Sequence, residues 1–401
     1  MRQQVDVLIV GGGLVGLALA CGLSSSRVSV MVVDGQKAPA EGKTSPALRD
    51  GWQLNSGFDL RVSAVNPASK SYLERIGGWP RDRTCAFTGM VVRDSRGSGC
   101  IEFNADHRGE PALGYVVENR NILANLRSQA DTCKNLELRW ESPITSIDLV
   151  DGVYRVQLDE ATKVECGLLV GADGGNSLVR KSCGLRGFEW EYDQQALVTT
   201  VMTEVPHQQM ARQWFTRHGP LAFLPLASAD QTLTSMIWSS SEADGLMAMD
   251  DESFCHRVTE ASEGTLGEII ACDIRRTFPL RQQHVFKYVA PHLVLIGDAA
   301  HTIHPLAGQG LNLGLADAQA LGLLINECRF SGRQPWSPQL LRQYRLARQP
   351  ANILMGLVME AFTRLYTPDQ PTVNWLRNTG TRLLDTSPRL KSLLVRLASG
   401  R

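Results

Sequence analysis

Val5-Asp6-Val7-Leu8-Ile9-Val10-Gly11-Gly12-Gly13-Leu14-Val15-Gly16 decides how this chain begins to fold. Val5 to Val10 is a short, mostly apolar run, the pattern of a strand buried in a parallel sheet. It breaks into GxGxxG, and Gly11 to Ser24 reads as a turn and a helix. A second strand, Val28 to Val33, ends at Asp34. The whole is a βαβ unit of about thirty residues. In such a unit the first Gly permits the tight turn. The second lets backbone approach a pyrophosphate, and the third lets helix and strand pack closely. The helix start then offers free N–H groups and partial positive charge to phosphates. Asp34 stands where a carboxylate can accept from ribose hydroxyls. The stretch therefore points to a dinucleotide; the plainer reading is a glycine-rich strand–helix turn.

Two further turns lie far downstream. Leu168-Leu169-Val170-Gly171-Ala172-Asp173-Gly174-Gly175-Asn176-Ser177-Leu178-Val179-Arg180 again delivers an Asp from a strand, then Gly, a Ser placed to cap and an Arg. Alone this is equally an ordinary Asx-capped strand–turn–helix. Val294-Leu295-Ile296-Gly297-Asp298-Ala299-Ala300-His301 runs on to Pro305-Leu306-Ala307-Gly308-Gln309-Gly310-Leu311-Asn312-Leu313-Gly314. Asp298 is placed either to accept from a ribityl-type hydroxyl or to act as a plain helix cap. Backbone N–H groups around Gly308 to Asn312 can face a flavin ring and stabilise charge there. NAD alone takes one βαβ half for each mononucleotide. The second and third turns are not GxGxxG repeats, which favours flavin contacts.

Composition narrows the class. A chain of 401 residues is long enough for two or three domains. Lys plus Arg equals Asp plus Glu, so the molecule is no electrostatic glove for nucleic acid. Nine Cys without a CxxC pair or a metal-type cluster argue against a disulfide framework or a metal site. A reducing cytoplasm suits that usage. No signal peptide is expected, and no stretch of about 18 apolar residues occurs to span a bilayer.

Along the chain, residues 35–60 read as a long loop, and Arg61 to Arg75 is expected to turn helical. Gly89 to Phe103 reads as a hairpin and Asn119 to Ala130 as a helix. Leu136 to Leu158 gives three short strands with a tight turn at Asp151-Gly152. Ala196 to Val205, Arg212 to Phe215, Ala222 to Leu226 and Thr232 to Ser239 read as an antiparallel sheet. Residues 242–271 are expected to be helical, Leu293 to Ile296 returns to the first sheet, and the chain is mostly helical after Gly310. A first domain interrupted by a sheet-rich second one explains three cofactor turns so far apart. Phe223-Leu224-Pro225-Leu226, Trp214, Phe215 and Trp238 stand either as walls of a substrate cavity or as ordinary core.

GxGxxG, GADGxxSxVR and GDAAHxxxPxxGQGxNxG together resemble the class A flavoprotein monooxygenases. Arg61-Val62-Ser63-Ala64-Val65-Asn66, Val117-Glu118-Asn119 and His301-Thr302-Ile303-His304-Pro305 resemble the ubiquinone-biosynthesis hydroxylases, especially the 2-polyprenylphenol 5-hydroxylase branch. The resemblance covers roughly residues 3–390. It implies an α/β fold: a Rossmann-like FAD/NAD(P)-binding domain interrupted by an antiparallel-sheet substrate domain, with a helical C-terminal segment. The expected bounds are 1–80, 106–190 and 280–330 for FAD, 81–105 and 191–279 for substrate, and 331–401 for the helical end. It implies that Gly11, Gly13 and Gly16 bind the pyrophosphate and Asp34 the adenosine ribose, where many relatives have Glu. Arg61 and Asp173 would lie near the pyrophosphate or the entering nicotinamide. Asn119 stands where many relatives carry an Arg. Asp298 would hold the ribityl chain, and Gly308, Gly310, Leu311 and Asn312 would line the ring.

The implied activity is insertion of one oxygen of O2 into a polyprenylated phenol by FAD reduced with NAD(P)H, through a flavin C4a-hydroperoxide. Hydroxylation at another ring position or of a non-prenylated phenol, and a flavin-binding scaffold subunit, are the alternatives. The resemblance calls for no protein nucleophile or metal. His301 and His304 flank the flavin loop, where a His either relays a proton near neutral pH or hydrogen-bonds the loop backbone. Residues 371–401 are basic and Leu-rich, with Arg377, Arg382, Arg389, Lys391, Arg396 and Arg401 against Asp385. Such a segment either packs on its own domain or meets an anionic membrane surface or a partner. A cytoplasmic protein peripheral to the inner membrane, in a ubiquinone-biosynthesis complex or a homo-oligomer, is expected. A halogenase is disfavoured because no WxWxIP-like string occurs, and an iron–sulfur dehydrogenase because the Cys are not clustered.

Overall fold

The computed structural model describes residues 2–38, 57–95, 97, 99–106, 111–159, 162–303 and 309–366. His304, Gly308 and the basic 371–401 segment lie outside them, as does most of the loop expected over 35–60.

The opening unit is β1 (Arg2–Val10), α1 (Leu14–Gly22) and β2 (Val30–Val33). β3 (Val62–Val65) leads into α2 (Pro67–Arg75). β4 (Thr84–Phe87), β5 (Gly89–Asp94), β6 (Cys100–Asn104) and β7 (Gly114–Glu118) precede α3 (Asn119–Asp131). β8 (Leu136–Arg139), β9 (Ser146–Val150), β10 (Val153–Gln157) and β11 (Lys163–Gly171) run to α4 (Leu178–Ser182). β12 (Gly187–Thr203), β13 (Met210–Thr216), β14 (Gly219–Pro225) and β15 (Leu233–Ser240) follow, then α5 (Ala243–Ala248) and α6 (Asp251–Ala261). β16 (Ile269–Cys272), β17 (Arg276–Val285), β18 (Val289–Ala290) and β19 (Leu293–Leu295) lead to a 3-10 turn at Gly297–Ala299. β20 (His301–Thr302), α7 (Gln309–Ser331) and α8 (Pro338–Tyr366) complete the fold.

The first sheet runs β18-β19-β11-β1-β2-β8, with β19, β11, β1, β2 and β8 parallel. Its strands bury Val7, Leu8, Ile9, Leu168, Leu169, Val294 and Leu295 completely, as strands covered on both faces must. α1, α3 and α7 supply Leu17, Ile122, Leu126, Leu315 and Leu321 to the same core. The β9–β10 hairpin turns on Asp151 and Gly152, both at positive φ, as a two-residue hairpin turn requires. The second sheet runs β20-β17-β12-β15-β14-β13-β5-β6 and is antiparallel except where β13 meets β5. β3, β7 and β4 make a small third sheet. The molecule is thus an α/β protein in which a parallel, Rossmann-like sheet is joined to an antiparallel one. No described helix is long and apolar enough to cross a membrane.

Two stretches expected to be helical are not helical throughout. Helix does not begin at Arg61: Val62 to Val65 pairs antiparallel with β7, and α2 starts only at Pro67. Asn66 caps it by accepting from Ser69 N–H, and Pro67 is at home in a first turn. Nor is 242–271 helical throughout. α6, capped by Asp250, stops at Ala261, and Gly264 and Gly267 at positive φ lead into β16, which pairs with β12. Trp214, Phe223 and Trp238 are core: they pack with Phe254 and Val258 of α6 beneath the second sheet.

Candidate functional site

Four parallel strands end side by side, and each ends in a turn that carries Gly or Asp. β1 runs into Gly11, β2 into Asp34, β11 into Ala172 and Asp173, and β19 into Gly297 and Asp298. Ligands of open α/β sheets bind outside such carboxyl ends, where neighbouring strands lead to opposite sides. Here β1 is that central strand, with β2 on one side and β11 on the other.

The turns touch one another. Gly11 has φ +108, and a Cβ there would collide with the carbonyl of Ala172. A Cβ on Gly297 would stand 3.2 Å from Val15 of α1, and one on Gly314 2.6 Å from the same side chain. Arg180 joins the second turn to the third: Nη2 donates to Gly175 O at 2.8 Å and Nη1 to Ala299 O at 3.1 Å. Residues 11, 172, 180 and 297 therefore form one contiguous floor.

That floor fits a dinucleotide. Gly13 sits at the N-cap of α1 with no side-chain cap, and a Cβ there would meet nothing within 4 Å. The helix start thus presents bare N–H groups to open space. Gly174 and Gly310 are equally open. Gly16 is closed instead, because a Cβ there would collide with Gly11 O. Asp34 accepts from Gly12 N–H at 2.7 Å and from Gln36 N–H at 2.8 Å, so its carboxylate also shapes the first turn. The ring of Trp140, just past β8, covers Gly12, 2.6 Å from where its Cβ would stand. Nothing in the sequence singled out Trp140.

Asp173 caps α4. Its oxygens accept from Ser177 Oγ at 2.6 Å, Leu178 N–H at 2.6 Å and Val179 N–H at 3.1 Å. Asp298 behaves differently. It is exposed by surface area and makes no hydrogen bond through its carboxylate to a described residue. Yet surrounding protein pushes that carboxyl above the ordinary range, against the opposing effect of His301 and Arg61. A group that is both accessible and surrounded lines a concavity. Arg61 is exposed beside it, with its guanidinium 5.2 Å from the ring centroid of Phe278. Phe278 packs in an apolar cluster with Ala196, Val198, Ile237 and Leu280 of the second sheet and with Leu60, just before β3.

The remaining expected residues tie elements together. Asn119 accepts from Ser63 Oγ at 2.7 Å, and its N–H donates to Arg61 O at 2.9 Å. Asn312 is buried; its Nδ2 donates to Ala64 O at 2.8 Å and its Oδ1 accepts from Asn66 N–H at 3.0 Å. Leu311 is half-buried against the first core. His301 is enclosed behind the third turn, where Nε2 lies 2.6 Å from Asp317 of α7. A carboxylate only accepts, so that nitrogen carries the hydrogen. Arg348 of α8 donates to the other oxygen of Asp317 at 2.7 Å. Burial alone would raise the Asp317 carboxyl, but His301 and Arg348 hold it down at about 2. Neither Asp317 nor Arg348 stood out in the sequence.

Comparison with known proteins agrees with this geometry. A family model described as an FAD binding domain matches residues 102–354. The chain is 34% identical to the ubiquinone hydroxylase UbiL of Rhodospirillum rubrum, over 99% of this chain and 90% of that one. It is 30% identical to the 3-demethoxyubiquinol 3-hydroxylase of Escherichia coli, over 100% and 99%. In three dimensions it resembles p-nitrophenol 4-monooxygenase PnpA of Pseudomonas putida, with a TM-score of 0.76, 16% identity and coverage of 100% and 99%.

Proposed function

The chain belongs to the FAD-binding-domain family and, within it, to the FAD-dependent hydroxylases of ubiquinone biosynthesis, and from that premise we propose that it places one oxygen atom of O2 on the ring of a polyprenylated phenol, with NAD(P)H as the reductant. The flavin supplies the redox chemistry: it takes electrons from the reductant and activates O2 for transfer to an electron-rich ring. The chain supplies binding, orientation and exclusion of water.

Gly11, Gly13 and the start of α1 would hold the pyrophosphate, with Gly16 keeping helix and strand close. Asp34 would serve the adenosine ribose through the turn it shapes. Asp298 would accept from a ribityl hydroxyl, and the backbone from Gly310 to Asn312 would border the ring. The first sheet with its turns, over 1–80, 106–190 and 280–330, would be the cofactor half, and 81–105 with 191–279 the substrate half. Phe278, Leu280, Ile237 and Val198 would then face the reacting ring. An apolar wall of this kind excludes water and suits a prenylated substrate. The pose against that wall would choose the ring carbon. Arg61 would serve the approach of the nicotinamide.

One observation carries the reading. Asp298, at the end of a parallel strand, shares its cleft with Arg61, which lies over Phe278 of the antiparallel sheet. On this reading a cofactor-holding surface and a substrate-holding surface would meet there. A strain lacking the gene tests the proposal. Loss of ubiquinone with accumulation of a prenylated phenol, both reversed by the intact gene, is expected; normal ubiquinone without such a phenol contradicts it. We place peripheral contact with an anionic membrane on 371–401, and deletion of that segment is expected to lower binding to anionic liposomes.

A further inference from the structure

Asp317 is enclosed completely and accepts from four donors. Oδ2 accepts from Gly297 N–H at 3.1 Å and from His301 Nε2 at 2.6 Å. Oδ1 accepts from Arg348 Nε at 2.7 Å and from Asn352 Nδ2 at 3.1 Å. Arg348 and Asn352 are themselves joined at 2.9 Å, and Arg348 also reaches Leu313 O at 3.4 Å. The first two donors bracket Asp298 in the chain, one residue before it and three after. One oxygen of Asp317 thus grips both ends of the short turn that presents Asp298 to the cleft.

The turn needs such a grip. Gly297 is at φ +58, which gains the turn no stability of its own. The segment is one 3-10 turn followed by a two-residue strand, and such short pieces hold their shape through what they are bonded to. The ring of His301 stacks on Tyr288 with centroids 5.8 Å apart, and its Nδ1 is buried without a partner among the described residues. The ring is therefore located by Asp317 on one edge and Tyr288 on one face. A carboxylate paired with the Arg348 guanidinium also costs more to displace than a neutral acceptor.

We propose that Asp317 is a positioning residue of the cofactor site: by holding Gly297 and His301 together, it fixes the place of the Asp298 carboxylate, with Arg348 and Asn352 of α8 anchoring the hub. The proposal rests on the reading of the cleft as an FAD site. It makes Asp317 act on FAD only through Asp298, which separates it from a merely structural buried ion pair.

The test is a double-mutant cycle on the full chain, with FAD affinity and the visible circular dichroism of bound flavin as readouts. Asp317→Asn is expected to weaken FAD binding about tenfold and to alter the flavin signal. Asp298→Ala is expected to weaken it by a comparable factor. The double variant is expected to bind FAD no more weakly than Asp298→Ala alone. Additive losses would overturn the proposal, as would unchanged affinity and signal in Asp317→Asn. If Asp317→Asn does not fold, His301→Leu takes its place in the same cycle, because it removes one grip and leaves Asp317 paired with Arg348 and Asn352. His301→Gln, which retains a donor for Asp317, is expected to restore FAD affinity; failure to restore it contradicts the proposal. A wild-type chain that holds no FAD would refute the reading of the site itself, whereas FAD-binding wild type with an additive cycle refutes only the role of Asp317.

Discussion

The turn after β1 and the turn after β19, with the turn after β11 between them, are held in shape by different forces. Around Gly11 to Gly16 the backbone does the work. Gly11 takes a φ that side chains avoid, Gly16 admits no Cβ, and Gly13 is left bare at the helix start. Around Gly297 to His301 side chains do it: Asp317, Arg348 and Asn352 from α7 and α8 grip the turn, and Arg180 braces it from α4. One turn is therefore shaped mainly by steric fit, with Asp34 accepting from Gly12 N–H beside it. The other is electrostatic and has an acid limit.

The sharpest way to break the first turn is Gly16→Ala. The new methyl would collide with Gly11 O, and neither backbone can retreat without parting β1 from α1. A cost of about 3 kcal/mol is expected, with loss of bound flavin in the purified protein. Unfolding in urea and the flavin content of the variant would report both.

Acid should break the third turn instead. Asp317 titrates near about 2 in the folded chain, below its ordinary 3.8, so folding favours its charged form. That contribution is complete above about pH 4 and is lost as pH falls through about 2, on the order of 2 kcal/mol in all. Urea unfolding between about pH 5 and about pH 2 should show this slope in wild type and a shallower one in Asp317→Asn.

Smaller effects sharpen the contrast. Asp34→Ala leaves Gly12 N–H without its acceptor and should cost about 1 kcal/mol, read as a lower melting temperature and weaker FAD binding. Gly174→Ala puts a methyl into open space at φ +76, so only backbone strain opposes it. About 1 kcal/mol in thermal stability is expected there, with the flavin spectrum unchanged.

The same contrast explains what the sequence made legible. A turn shaped by glycine spacing is local, so Gly11, Gly13, Gly16 and the ends of β1 and β2 could be placed from their own neighbours. Asp151-Gly152 and the helix from Asn119 were local in the same way. The cap at Asn66 with Pro67 behind it was an available signal, but it was outweighed by a helical reading that ran back to Arg61. β17 went unread because Arg276, Pro279, Arg281, Gln282 and Gln283 do not alternate like a half-buried strand; partners on β12 determine its course. The Asp317 hub is long-range: Arg348 is thirty-one residues away and Gly297 twenty, and no spacing rule joins an Asp inside one helix to an Arg inside the next. Trp140 is likewise an ordinary aromatic until β8 brings it over Gly12.

The central claim is that this cleft uses FAD to hydroxylate a phenol. Purified protein supplied with NAD(P)H, a polyprenylated phenol and isotopically heavy O2 tests it most directly. Mass spectrometry of the product should show one heavy oxygen atom, carried as a new hydroxyl on the ring and formed only when the flavin is bound. A product whose new oxygen comes from water, or oxidation of the reductant with O2 released as hydrogen peroxide and the phenol unchanged, would contradict the account.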